Sequence, residues 1–285
     1  MIRKVVNISA WLIMLACIAS CSKTVDNIKL PEVEPKLVVY SYISPADSII
    51  QVNVSMSVPI FNSTNNGSDN IVTDATVTMW NDYGNSIIIP YDPFSKTYFI
   101  ASSALPILAG RTYHLKVTSG DKTAESSCTV PSSPNTSLQF VSMDSTEDGN
   151  SQKTITLKIK FTDTFGQPDY YRVYPMVNVV QLFMGGTDTI NKKLYFNFGD
   201  ELVSDKDHDA LTYNYTTTDT YQDETPRYFK IYLFHTDKDY YELHKSIRNY
   251  SGDNPFSEPS LIYSNMQGGY GVFASYNPYS IQINI

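Results

Sequence analysis

Histidine, tryptophan and cysteine are scarce in this 285-residue chain, with four, two and three copies. Two of the cysteines, Cys17 and Cys21, lie in or beside an apolar leader. That leaves Cys128 alone, so no intramolecular disulfide framework is available and a packed core must carry stability. The histidines, His114, His208, His235 and His244, offer no close pair at the helical spacing of a zinc motif. No Gly-x-Ser-x-Gly elbow and no phosphate-cradling glycine loop is present, so two common signatures of catalysis are missing. Long Ala/Leu/Glu/Lys-rich stretches are also absent, which argues against a mainly helical protein. Basic residues are in deficit, 21 against 29 acidic ones, for a formal charge of −8. Such a balance disfavours nucleic acid or an anionic leaflet as partner.

The one long apolar run, Val5 to Ala19, follows Arg3 and Lys4 and ends in Ile18-Ala19-Ser20-Cys21. A basic start, a bilayer-entering stretch and small residues before a cysteine form the pattern of a bacterial lipoprotein signal. The run falls short of the roughly 20 residues that a spanning helix needs. Residues 1–20 are therefore expected to be removed, leaving Cys21 as the lipidated first residue and a formal charge of about −10. Met14-Leu15-Ala16-Cys17 is a variant of the same box, and Ala16 and Ala19 also suit ordinary signal peptidase. Ile18 three positions before Cys21 is the better fit, and cutting there takes away the whole apolar run. Several acyl chains, at about 0.8 kcal/mol per buried methylene, make such an anchor effectively permanent.

Residues 21–35 carry charge and two prolines but no hydrophobic period, as a tether does. From Lys36 onward the pattern alternates: Ile50, Val52, Val54, Met56 and Val58 are spaced by polar residues, and Asp74 to Trp80, Arg111 to Thr118 and Lys122 to Val130 read likewise. Seven short strands with turn signals predict an immunoglobulin-like or fibronectin-like β-sandwich over 36–131. Pro131-Ser132-Ser133-Pro134-Asn135 marks the expected boundary, and a second β-rich domain is expected over 136–285. Its strands include Thr154 to Phe161, Tyr170 to Phe183 interrupted by Pro175, and Pro226 to Phe234. Tyr240, Leu243, Ile247 and Tyr250 recur at helical spacing, so one helix is predicted over 238–250, capped by Thr236 and stopped at Gly252.

Pro35-Lys36-Leu37-Val38-Val39, Asp74-Ala75-Thr76-Val77-Thr78, Tyr170-Tyr171-Arg172, the stretch Asp253 to Pro259 and Tyr263-Ser264-Asn265-Met266-Gln267-Gly268-Gly269-Tyr270-Gly271-Val272-Phe273 together resemble a Bacteroidota lipoprotein family catalogued as domain of unknown function 4249. The resemblance spans nearly the whole mature chain. It implies an outer-membrane address and the company of TonB-dependent receptors, hence an accessory role in ligand or nutrient capture. It brings no catalytic residues and no cofactor.

Candidate chemistry in the residues themselves is thin. His235 and His244, with Asp237 and Asp239 between them, sketch a metal or acid–base cluster, but ordinary surface and helix positions account for them better. Asp200-Glu201 and Asp205-Lys206-Asp207-His208-Asp209 offer hard oxygens without the glycine turn and terminal glutamate of an EF-hand, which reads as a solvated loop. Cys128 lies in an alternating stretch with no nearby histidine to activate it. Tyr240, Tyr241, Tyr250, Tyr263 and Tyr270 suit either ligand stacking or the core and rim of a helix–sheet junction, the latter being preferred. Gly268, Gly269 and Gly271 read as a bulge or turn where backbones approach closely. The expectation is a non-enzymatic binding lipoprotein without metal or cofactor; a surface hydrolase acting on glycan or peptide, or a structural envelope protein, are the alternatives.

Overall fold

Alternating sequence becomes strand wherever one face has something to cover. The computed structural model describes residues 34–58, 70–133, 138–149, 152–163, 166, 168–183, 185–205, 211–250 and 261–285. The leader, Cys17, Cys21, most of the tether, His208, Gly252 and the stretch 253–259 lie outside the described residues. The first half supplies β1 (Leu37–Ile43), β2 (Ile49–Met56), β3 (Thr76–Asn81), β4 (Ser86–Ile89), β5 (Tyr91–Asp92), β6 (Thr97–Ala101), β7 (Thr112–Ser119) and β8 (Lys122–Thr129). The second half supplies β9 (Gln139–Glu147), β10 (Lys153–Thr162), β11 (Tyr170–Phe183), β12 (Gly186–Lys193), β13 (Leu202–Ser204), β14 (Thr212–Tyr221), β15 (Glu224–Thr236), the helix α1 (Lys238–Arg248) and β16 (Tyr270–Asn284). The protein is thus mainly β, with sandwich-like sheets and one helix near the C-terminus, as the alternation predicted.

The long sheet runs β12-β11-β15-β16-β1-β2-β6-β5, with β13 also paired to β11. A four-stranded sheet, β4-β3-β7-β8, packs on its β1-β2-β6 part, and a three-stranded sheet, β14-β10-β9, on its β11-β15 part. In the first core Val39, Val52 and Val54 meet Val77, Leu115 and Val117. In the second, Ile155, Leu157 and Ile159 meet Val173, Ile231 and Leu233. Each such side chain contributes about 1.5–3 kcal/mol when fully buried. Near the start of β7 the Tyr113 hydroxyl donates to Pro106 O at 2.7 Å and accepts from Leu108 N at 2.8 Å, the tyrosine-corner arrangement of antiparallel sandwiches.

The second core lies within the second expected stretch, but the first takes Met266 and Phe273 from it as well, and one strand joins the two cores. β16 runs parallel to β1 from Tyr270 to Ser275 and then antiparallel to β15 from Tyr276 to Asn284. Pro35–Ile285 accordingly form one compact unit, so the expected boundary interrupts a chain but not a sheet. The β16–β1 approach requires glycine. Gly271 has φ +108°, and a Cβ there would lie 1.9 Å from Val39 O. A Cβ at Gly268 would lie 2.3 Å from Thr123 O and one at Gly269 2.6 Å from Leu37 O, which is the close backbone approach expected for this segment.

Three local expectations change. The helix cap is Asp237, whose carboxylate accepts from Tyr240 N at 2.7 Å, while Thr236 ends β15. The helix closes at Arg248, two residues early, with Asn249 as its C-cap. Pro175 does not interrupt β11: Val173 N and Pro175 O both point to the side away from β15, bonding Glu201 O and Leu194 N. There the strand passes between its β13 and β12 partners, so the missing N–H is not needed.

Candidate functional site

β1 sends Leu37, Val39 and Ile43 into the first core, and its pleat therefore turns Tyr40 and Tyr42 to the opposite face, where α1 lies. Tyr240 and Leu243 of α1 pack there on Val272 and Ala274 of β16. An aromatic row crosses this face. Ring centroids are separated by 5.8 Å from Tyr232 to Phe234, 5.3 Å from Phe234 to Tyr276, 5.9 Å from Tyr276 to Tyr240 and 5.4 Å from Tyr240 to Tyr42. Cations flank it: Arg172 donates to Tyr240 Oη at 2.9 Å and to Glu201 at 2.7 Å, and Lys193 reaches the same carboxylate at 2.9 Å.

The row opens on a cleft of about 350 Å³ lined by Tyr40, Tyr42 and Tyr276 together with Asp47, Gln51 and Asn53. The Tyr276 hydroxyl donates to Asp47, 3.0 and 3.1 Å from its two oxygens. Burial pushes the Asp47 carboxyl up, and that hydroxyl pulls it partly back. Aromatic faces beside amide and carboxylate edges suit a polar ring with hydroxyl or amide groups, by stacking and hydrogen bonding together. A smaller cleft of about 240 Å³ lies between Trp80, His114, Glu125, Asp239 and Asn265.

The sketched cluster of His235, Asp237, Asp239 and His244 does not converge. His244 stacks on Tyr240 at 4.2 Å and donates from Nδ1 to Tyr240 O, and its burial lowers its basicity. Asp237 caps α1, and Asp239 accepts from Tyr263 Oη and Asn265 Nδ2. The acidic run likewise disperses. Asp200 faces Arg248 at 3.6 Å, Glu201 belongs to Arg172 and Lys193, and of the described residues of this run only Asp205 turns inward. Cys128 is buried in β8, and burial pushes its thiol well up, as befits a packing residue. Tyr240 and Tyr241 are buried while Tyr250 and Tyr270 are exposed, so the tyrosines divide between core and rim.

His235 and Asp205 instead join a cluster that the sequence pattern did not single out. Asp163 follows β10, Asp169 precedes β11 and Asp205 follows β13; one oxygen from each lies within 4.8 Å of the others. Tyr171 Oη donates to Asp163 Oδ1 at 2.5 Å, and Asp169 N donates to Asp205 Oδ1 at 2.5 Å. His235 contacts Asp169 Oδ1 through Nε2 and Ser132 O through Nδ1, both at 2.9 Å. Both ring nitrogens are thus held, one by a carboxylate and one by a backbone carbonyl. Burial, and then Asp163 beside it, raises the Asp205 carboxyl above its ordinary range. The only trace in the sequence is that Asp163 and Asp169 bracket a turn containing Gly166 and Pro168 between two alternating strands.

Fold and site thus define a β-sandwich protein with a sheet shared between two cores and an aromatic face beside its helix. The chain belongs to the family described as Domain of unknown function (DUF4249), whose model matches residues 25–282. No curated protein matches it. Among the described residues no helix is long and apolar enough to cross a membrane.

Proposed function

We propose that the protein is an outer-membrane lipoprotein of the Bacteroidota, anchored through lipidated Cys21, that binds a ligand or partner as an accessory to a TonB-dependent transporter. The observation that carries this reading is the cleft of Tyr40, Tyr42 and Tyr276 with Asp47, Gln51 and Asn53 at the end of the aromatic row. It offers stacking faces and hydrogen-bonding edges, which capture needs. The dispersal of His235, His244 and the acids between them to separate structural partners supports binding in preference to hydrolysis.

The test is an affinity pull-down of the lipidated protein from detergent-solubilised native outer membranes, with mass spectrometry of what copurifies, alongside substrate uptake in a deletion strain. A stoichiometric receptor, with uptake reduced on deletion and by Tyr42→Ala, is expected. Neither copurification nor an uptake defect would end the transport-accessory reading.

A further inference from the structure

The aspartates gathered around Tyr171 are unusual for what they leave unpaired. Asp163 and Asp205 are each only 4% exposed, and among the described residues no lysine or arginine pairs with either. Asp163 Oδ2 is buried and has no hydrogen-bond partner among the described residues. An ionised carboxylate in that position costs several kcal/mol unless a positive group meets it.

The other oxygens are held in place. Asp163 Oδ1 takes the Tyr171 hydroxyl, Asp169 Oδ1 takes His235, and Asp205 Oδ1 takes the Asp169 N–H. Each carboxylate is therefore oriented through one oxygen by a group that is itself fixed in β11, in β15 or in the backbone. Outer contacts of this kind orient the ligands of metal sites.

We propose that Asp163, Asp169 and Asp205 bind a hard divalent cation, calcium in preference to zinc. An all-carboxylate donor set selects against soft or imidazole-seeking metals, and calcium accepts irregular oxygen shells that magnesium, with its demand for octahedral geometry, does not. Asp163 directly follows β10 of one sheet, while Asp169 directly precedes β11 and Asp205 directly follows β13 of the other. The ion thus clamps the two layers of the second sandwich at one end. Through Asp169 and His235 it also braces Ser132, in the segment joining the two cores.

The experiment uses the full chain in detergent, stripped with EDTA and dialysed. Calcium chloride at about a hundred times its dissociation constant is expected to raise the unfolding midpoint by about 5–10 °C. Magnesium is expected to raise it less. Terbium ion is expected to luminesce on excitation of tyrosine, because Tyr171 touches a ligand, and calcium should quench that signal by competition. Asp163→Asn and Asp205→Asn should each abolish both responses. Asp200→Asn, in the same acidic run but outside the cluster, should change neither response. Absence of both the calcium shift and the terbium signal in the unmutated protein would overturn the proposal and leave a proton-sharing acid pair. Retention of both in Asp163→Asn and Asp205→Asn would overturn it equally. If either variant fails to fold, the calcium and terbium titrations of the unmutated chain decide.

Discussion

Asp237 meets Ser275 twice through one oxygen: Oδ2 lies 2.6 Å from Ser275 N and 2.7 Å from Ser275 Oγ. The same Oγ lies 3.0 Å from Thr129 O. A hydroxyl has one proton to give, so with Asp237 ionised one of its two acceptors goes without. A proton on Asp237 resolves this, since Asp237 then donates to Ser275 and Ser275 donates to Thr129. Burial pushes the Asp237 carboxyl up to about 7, in the direction this chain of bonds requires.

That shift has a definite sign. Between about pH 4 and pH 7 the folded state holds a proton that the unfolded state has released, so this group's contribution to stability falls as pH rises through the window and levels off above it. The stability of the unmutated protein relative to Asp237→Asn should therefore decline from pH 4.5 to pH 7. Urea unfolding of both proteins across that range measures it, and a difference that rises with pH refutes the assignment.

Asp237→Ala removes the helix cap as well as the bonds to Ser275. A loss of about 2–4 kcal/mol is expected, from the cap and from the buried Ser275 N–H left without an acceptor. Denaturant midpoints at pH 7 report it.

Gly271→Ala should cost about 3 kcal/mol or more, because the new Cβ meets Val39 O and the backbone has φ +108°. Gly84→Ala is the control. Its φ is +82° but the space around it is open, so a cost of about 1 kcal/mol is expected. Thermal unfolding of the pair separates conformational strain from the parallel β1–β16 contact.

Arg172→Ala should destabilise by about 3 kcal/mol, since the guanidinium links Glu201 to Tyr240 across the join of sheet and helix. Exposed pairs such as Lys116–Glu125 should matter far less, within about 1 kcal/mol. Unfolding curves for Arg172→Ala and Lys116→Ala give the comparison.

Alternation has a period of two residues, so it is local, and it made the strands of both halves legible before any coordinates. The turns were equally local. Gly120-Asp121 closes the β7–β8 hairpin, in the gap between the two alternating stretches Arg111 to Thr118 and Lys122 to Val130, with Gly120 at φ +58°. β14 escaped because Thr212–Tyr221 consists of threonine, tyrosine, asparagine and aspartate, with no aliphatic residue to mark a buried face. Pro175 misled because a proline is a break only where its N–H is wanted, and which side wants it depends on the neighbouring strands.

By itself the sequence determined the β character, the helix near the C-terminus and the close backbone approach at Gly268, Gly269 and Gly271. It also pointed to Cys128 as a packing residue, and Cys128 is buried in β8. Only the tertiary structure decided that β16 returns to β1 and makes one sheet of two halves, that Tyr42, Tyr240 and Tyr276 share a face, and that Asp163, Asp169 and Asp205 converge. Each of these depends on strand pairing between distant residues. Register is set by the packing of whole faces against a core, a property of the assembled sheets that no short window of residues contains.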